Sequence, residues 1–192
     1  MGDLTQNFSY SEFKPHGSDK NWKPSSEYQK LLIVNLAKDL QIVRDSIPAN
    51  CFMDITSGVR TIQDYYRLKN QGLNPSKTSD HYFGMPIKLD KNSEKYNKFG
   101  ETYNFTVGAV DVVPIGFSSW DLFKIAFNLI NSGVCDFGQL IYEKNPKNGI
   151  DWVHFGGSMH RIFTENLIAL IGRDKIMKSM DGGKSYSVVT YI

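Results

Sequence analysis

An α+β domain with a small, mostly antiparallel sheet flanked by helices is the fold class this sequence predicts, on three observations. Apolar residues recur at helical spacing over 31–43 and 122–130. Short β-branched and aromatic runs over 51–56, 106–113, 139–143 and 152–155 are bounded by Gly, Pro and Asn. The last two of these flank Lys144-Asn145-Pro146-Lys147-Asn148-Gly149, a turn sequence that makes them an antiparallel hairpin. A length of 192 residues, with 41% hydrophobic and 22% charged, suits one globular domain over 1–192 with a sizeable core.

Taken in order, residues 1–24 are polar and aromatic, carry Pro15, Gly17 and Pro24, and read as an irregular arm. Ser25-Ser26-Glu27 caps a helix whose apolar positions run towards Ile47-Pro48. A strand over 51–56 delivers Ser57-Gly58-Val59-Arg60 to a turn, and a second helix starts near Thr61 and runs through Lys69. Gly72-Leu73-Asn74-Pro75-Ser76 breaks the chain again. Residues 85–108, rich in Lys, Asn, Tyr and Gly, read as an exposed excursion such as a hairpin or lid. The run over 106–113 is a central strand expected to end at Pro114, and Ser118-Ser119-Trp120-Asp121 caps a helix that stops at Ser132-Gly133. The C-terminal extension, 157–192, holds a short helix around 164–171 and an edge strand over 187–192.

Net charge is +2, and Lys88, Lys91, Lys95 and Lys98 alternate with acids. That balance excludes a strongly basic nucleic-acid footprint. No apolar run reaches membrane-spanning length, and the N-terminus lacks a basic region followed by an apolar stretch, so neither a membrane span nor a signal peptide is expected. Cys51 and Cys135 are distant and lie in apolar company, which reads as two buried reduced thiols; a disulfide is the alternative.

Chemistry concentrates in Ser79-Asp80-His81, Ala109-Val110-Asp111 and Asp151-Trp152-Val153-His154. These supply two imidazoles, one carboxylate and a further acid three residues before the second imidazole. That is the inventory of an open zinc site, in which three protein ligands leave a fourth position for water. A single His beside Tyr82 and Phe83, or beside Trp152 and Phe155, also suits an ordinary core or surface histidine. Asp111 is the sharper anomaly, because a carboxylate in the middle of an apolar strand costs several kcal/mol unless paired with a metal or cation.

In order, Ser57-Gly58-Val59-Arg60, Ser79-x-His81-x-x-Gly84, Ala109-x-Asp111 and Trp152-Val153-His154 resemble the successive blocks of the zinc D-Ala-D-Ala carboxypeptidase and L-Ala-D-Glu endopeptidase family. That family includes phage endolysins and shares its fold with hedgehog signalling domains. Phe8-Ser9-Tyr10-Ser11-Glu12-Phe13 and Gln139-Leu140-Ile141-Tyr142-Glu143 extend the likeness over about residues 4–156. It implies a hedgehog/DD-peptidase-like fold and Zn2+ on His81, Asp111 and His154. It also implies hydrolysis of peptide bonds in peptidoglycan stem peptides, with phage virion proteins as further partners. Action on the cell wall would start from a phage-infected bacterial cytoplasm or a virion. Asp151 is expected to be the general base and acid, with Glu143 its rival, and Arg60 is expected to bind the scissile carbonyl as charge develops on its oxygen. One departure is large: the family's compact His-x-x-Gly-x-Ala-x-Asp block is split here by residues 85–108, which could shape substrate entry or cover the cleft. The alternative reading is a non-catalytic virion or wall-binding module that keeps the peptidase fold.

Overall fold

The computed structural model describes residues 2–73, 75–76, 79–84, 86–87, 104–158, 175–181 and 185–189. Its centre is a six-stranded sheet in the order β1-β4-β6-β5-β7-β8. The strands are β1 (Phe52–Ser57), β4 (Ala109–Ile115), β5 (Phe137–Lys144), β6 (Asp151–Gly157), β7 (Lys175–Ser179) and β8 (Ser187–Val188). All neighbours are antiparallel except β5 and β7. A separate pair joins β2 (Pro86–Ile87) to β3 (Asn104–Phe105).

Alternation along the strands divides the sheet into two chemically different faces. Val110, Val112, Leu140, Val153 and Phe155 are fully buried in the core on one face. Two helices fill that core. In α2 (Glu27–Ser46) the buried Leu32, Ile33, Leu36, Leu40 and Val43 recur at helical spacing, and in α4 (Ser119–Asn131) Leu122, Phe123 and Ala126 do the same. Fully burying each Leu, Ile, Val or Phe among them contributes about 1.5–3 kcal/mol. The other face carries Asp111, Glu143, Trp152 and His154, so the candidate site sits on the side of the sheet that the main helices leave.

Local chemistry explains the element ends. Ser26 accepts from the Gln29 amide at the start of α2, and Thr61 with Asp64 closes a capping box on α3 (Ile62–Asn70). Ser118 accepts from Asp121 at the start of α4.

Two expectations need correcting, and one strand was not foreseen. The N-terminal arm is not wholly irregular, because Glu12 accepts the Ser9 amide at 2.7 Å and starts a short helix, α1 (Tyr10–Phe13), whose Phe13 is buried. Strand β4 runs through Pro114 to Ile115; pairing with β6 has ended by Val112, so the missing N–H leaves no gap on that side. Strand β7 was not expected at all. The anticipated helix around 164–171 lies outside the described residues; of the strand expected over 187–192, Ser187–Val188 form β8 at the sheet edge and 190–192 lie outside the described residues. Cys51 and Cys135 are both buried, and no disulfide joins them.

Candidate metal centre

Three elements bring the ligand candidates together. Asp111 and His154 face each other across the β4–β6 ladder, on the same side of the sheet. His81 comes from a 3-10 turn, Asp80–Tyr82, opened by Ser79 and ended by Phe83 in a left-handed conformation (φ 39°). The Arg60 amide donates to the His81 carbonyl at 2.8 Å and the Gly84 amide to the Thr106 carbonyl at 2.8 Å, fastening this turn at both ends.

Gly58 explains the Ser-Gly-x-Arg sequence physically. A Cβ there would lie 2.5 Å from the Phe13 carbonyl oxygen, so only glycine lets α1 approach β1 this closely. The adjacent Val59 amide donates to that same Phe13 oxygen at 2.8 Å. Held in this way, the Gly58 carbonyl stands 2.8 Å from His81 Nδ1 and orients the ring.

One candidate ligand atom from each of His81, Asp111 and His154 lies within 4.8 Å of the others, and all three residues are buried at the site. His154 Nδ1 is 2.9 Å and His81 Nε2 3.3 Å from the same carboxylate oxygen, Asp111 Oδ1. Arg60 Nη2 donates to the other oxygen, Oδ2, at 3.0 Å and to Ser57 Oγ at 3.1 Å. This group can bind a metal ion.

The proton inventory of His81 supports the fit. A backbone carbonyl can only accept, so His81 Nδ1 carries a hydrogen and donates it to Gly58. Burial lowers the His81 pKa below its ordinary value, despite the opposing charge of Asp111, and so disfavours a second proton. Neutral His81 therefore aims a lone pair at a carboxylate oxygen, a contact that a cation between them turns from repulsive to attractive. His154 behaves oppositely. Burial alone would lower its pKa, but the hydrogen bond and charge of Asp111, aided by Glu143, hold it above the ordinary value. Burial would raise Asp111, yet the hydrogen bond and charge of His154 keep its carboxyl well below the usual range.

The two acids expected to compete for proton transfer lie on opposite faces. Asp151 is three residues from His154, an odd offset, so it points to the helix-packed side. Its carboxylate accepts from the Tyr142 hydroxyl at 2.8 Å, and Ser119 Oγ donates to its carbonyl at 3.2 Å. Tyr142 packs on Trp120 and Phe123 of α4, and burial followed by the Asp151 bond pushes its pKa to about 12. Glu143 pairs with Trp152, two residues from His154, and shares the face of the ligands. Only 9% exposed, it has a pKa raised by burial against the lowering charge of His154. Arg60 reaches the site, but through Asp111 and Ser57.

Sequence reasoning did not single out Tyr186, whose hydroxyl lies 3.4 Å from Glu143 Oε1, nor Gly58 as the orienting group of His81. The Ser-Gly-x-Arg block pointed at Gly58; no local signal pointed at Tyr186. Comparison of the chain with models of protein families, with curated proteins and with solved structures finds no match in any of the three.

Proposed function

We propose that this chain is a zinc peptidase that hydrolyses peptide bonds in peptidoglycan stem peptides, with a hedgehog/DD-peptidase-like fold and a phage-associated route to the cell wall. The observation that carries the metal is the lone pair of His81 Nε2 aimed at Asp111 Oδ1, 3.3 Å away, with His154 Nδ1 on the same oxygen. The observation that carries the peptidase is the ordered set of blocks ending in Trp152-Val153-His154, together with a buried carboxylate, Glu143, on the ligand face.

His81, Asp111 and His154 would hold the zinc, which when bound would supply a Lewis acid and the means to acidify water near neutral pH. Glu143 then has the environment of a proton shuttle: it takes a proton from the attacking water on a carboxylate oxygen and returns it to the nitrogen of the leaving amine. Its burial raises the pKa in the direction that proton return needs. Arg60, braced by Ser57 and Asp111, orients the carboxylate ligand and would offer a guanidinium N–H to the carbonyl oxygen as charge grows there. Asp151 serves the fold, tying β6 to Tyr142 and α4.

No helix among the described residues is long and apolar enough to cross a membrane. Stem peptides are the proposed substrate and phage virion proteins the proposed carriers.

The test is metal analysis of the purified chain combined with digestion of purified cell wall and of isolated stem peptides. One zinc per chain and new peptide termini are expected. Stoichiometric zinc without hydrolysis of any wall type would instead favour a wall-binding or virion module, and no zinc would remove the reading.

A further inference from the structure

The segment after β7 lies beyond the stretch that carries the family resemblance, yet it reaches the site. Ser179 pairs with Glu143 across the parallel β5–β7 ladder, and Lys178 pairs with Ser187 across β7–β8, which brings Tyr186 beside Glu143. Asp181 braces the return of the chain: its carboxylate accepts from Ser179 Oγ at 2.9 Å and from the Ser185 amide at 2.9 Å. Tyr186 is half-exposed, and its hydroxyl stands 3.4 Å from Glu143 Oε1.

We infer that Tyr186 is a positioning residue for Glu143, its hydroxyl donating to Oε1 and leaving Oε2 as the oxygen that exchanges a proton with the metal site. This rests on the peptidase reading. A buried carboxylate with four lone-pair directions can rotate about its terminal torsion, and a donor fixed on one oxygen removes that freedom. At 3.4 Å the contact is long, as catalytic hydrogen bonds often are before substrate is bound. The hydroxyl is a better donor than acceptor here: burial, followed by the negative charge of Glu143, raises its pKa, so it keeps its proton.

The experiment compares the full-length zinc-loaded chain with Tyr186→Phe, Glu143→Gln and the double variant. Tyr186→Phe is expected to lower kcat roughly 10- to 100-fold, the range typical of partners that orient a functional group, with KM and zinc content unchanged. In the Glu143→Gln background the same change should cost nothing further. A loss of equal size in both backgrounds would mean a structural role and overturn the proposal. A second readout needs no turnover: in metal-free protein the carbon-13 carboxyl resonance of Glu143 should shift in Tyr186→Phe but not in Ser187→Ala. An unmoved resonance overturns the contact, whatever the wall assay shows. A moved resonance in a chain that cuts no stem peptide leaves the contact standing and overturns its catalytic purpose, together with the peptidase reading itself.

Discussion

Asp111 Oδ1 is shared by two imidazoles, 2.9 Å from His154 Nδ1 and 3.3 Å from His81 Nε2, while Oδ2 is held by Arg60 at 3.0 Å. One carboxylate thus organises every positive or metal-binding group of the site. His81→Ala or His154→Ala should lower zinc content below half occupancy in metal analysis after dialysis, with activity lost in parallel. Asp111→Asn should do the same and, in addition, release Arg60 from its partner. Full zinc occupancy in any of the three would remove that residue from the ligand set.

Glu143→Gln should keep zinc and lose about 10²- to 10⁴-fold in kcat, the span usual for a positioned general base. Asp151→Asn should keep both zinc and most turnover, and instead lower thermal stability by about 1 kcal/mol through the weakened Tyr142 bond. Metal content, kcat and a melting curve on both variants decide it. Turnover that survives in Glu143→Gln and vanishes in Asp151→Asn would return the role to Asp151.

Gly58→Ala should weaken zinc binding roughly 10- to 100-fold without touching a ligand. The added Cβ meets the Phe13 carbonyl oxygen at 2.5 Å, backbone against backbone, so α1 and β1 must part and the Gly58 carbonyl moves off His81 Nδ1. Competition with a chromophoric chelator measures it, and unchanged affinity would show that the His81 ring needs no such brace.

Much of this architecture was legible in the sequence because it is local. Helices α2 and α4 follow from apolar spacing and Ser caps, and Asp111 stood out as a carboxylate in an apolar strand. The faces on which Asp151 and Glu143 lie were only half legible. The odd offset of Asp151 from His154 can be counted along the chain, but placing Glu143 needs the register of the β5–β6 hairpin, in which it faces Trp152. Strand β7 was not legible: Lys175-Ile176-Met177-Lys178-Ser179 lacks clean alternation, and its partner β5 lies more than thirty residues away in a parallel pairing that no turn announces. Tyr186 depends on that same pairing and shared its invisibility.

In metal-free protein the two histidines should titrate apart, His154 above its ordinary pKa of 6.5 and His81 below it. The raised His154 value contributes stability that is full below pH 6.5 and is lost as pH rises through the folded value. The lowered His81 value works oppositely, its contribution being present above 6.5 and lost as pH falls towards the folded value. Zinc should abolish both titrations, since each ligand nitrogen must be free of its proton. Imidazole nitrogen-15 spectra against pH, with and without zinc, would show this, and unaltered curves on adding zinc would mean that the rings do not bind it.

Residues 85–108, of which 85 and 88–103 lie outside the described residues, join two ligand candidates, so the segment begins and ends near the site. Its base is a built element: β2 and β3 pair antiparallel, and the Gly84 amide bonds to Thr106 directly before the strand carrying Asp111. Replacing residues 88–103 with a short Asn-Gly turn should therefore leave β2, β3 and zinc occupancy intact, because closing the strand pair with a shorter loop lowers the entropy cost of folding. The expected change is in selectivity, read as the ratio of cleavage rates on stem peptides from different peptidoglycan types, since a segment tied at both ends to ligand-bearing elements can act on substrate entry without touching the metal. An unchanged ratio would mark the excursion as a passive surface feature. A shortened chain that binds zinc as before and cuts every substrate faster would identify it as an autoinhibitory cover.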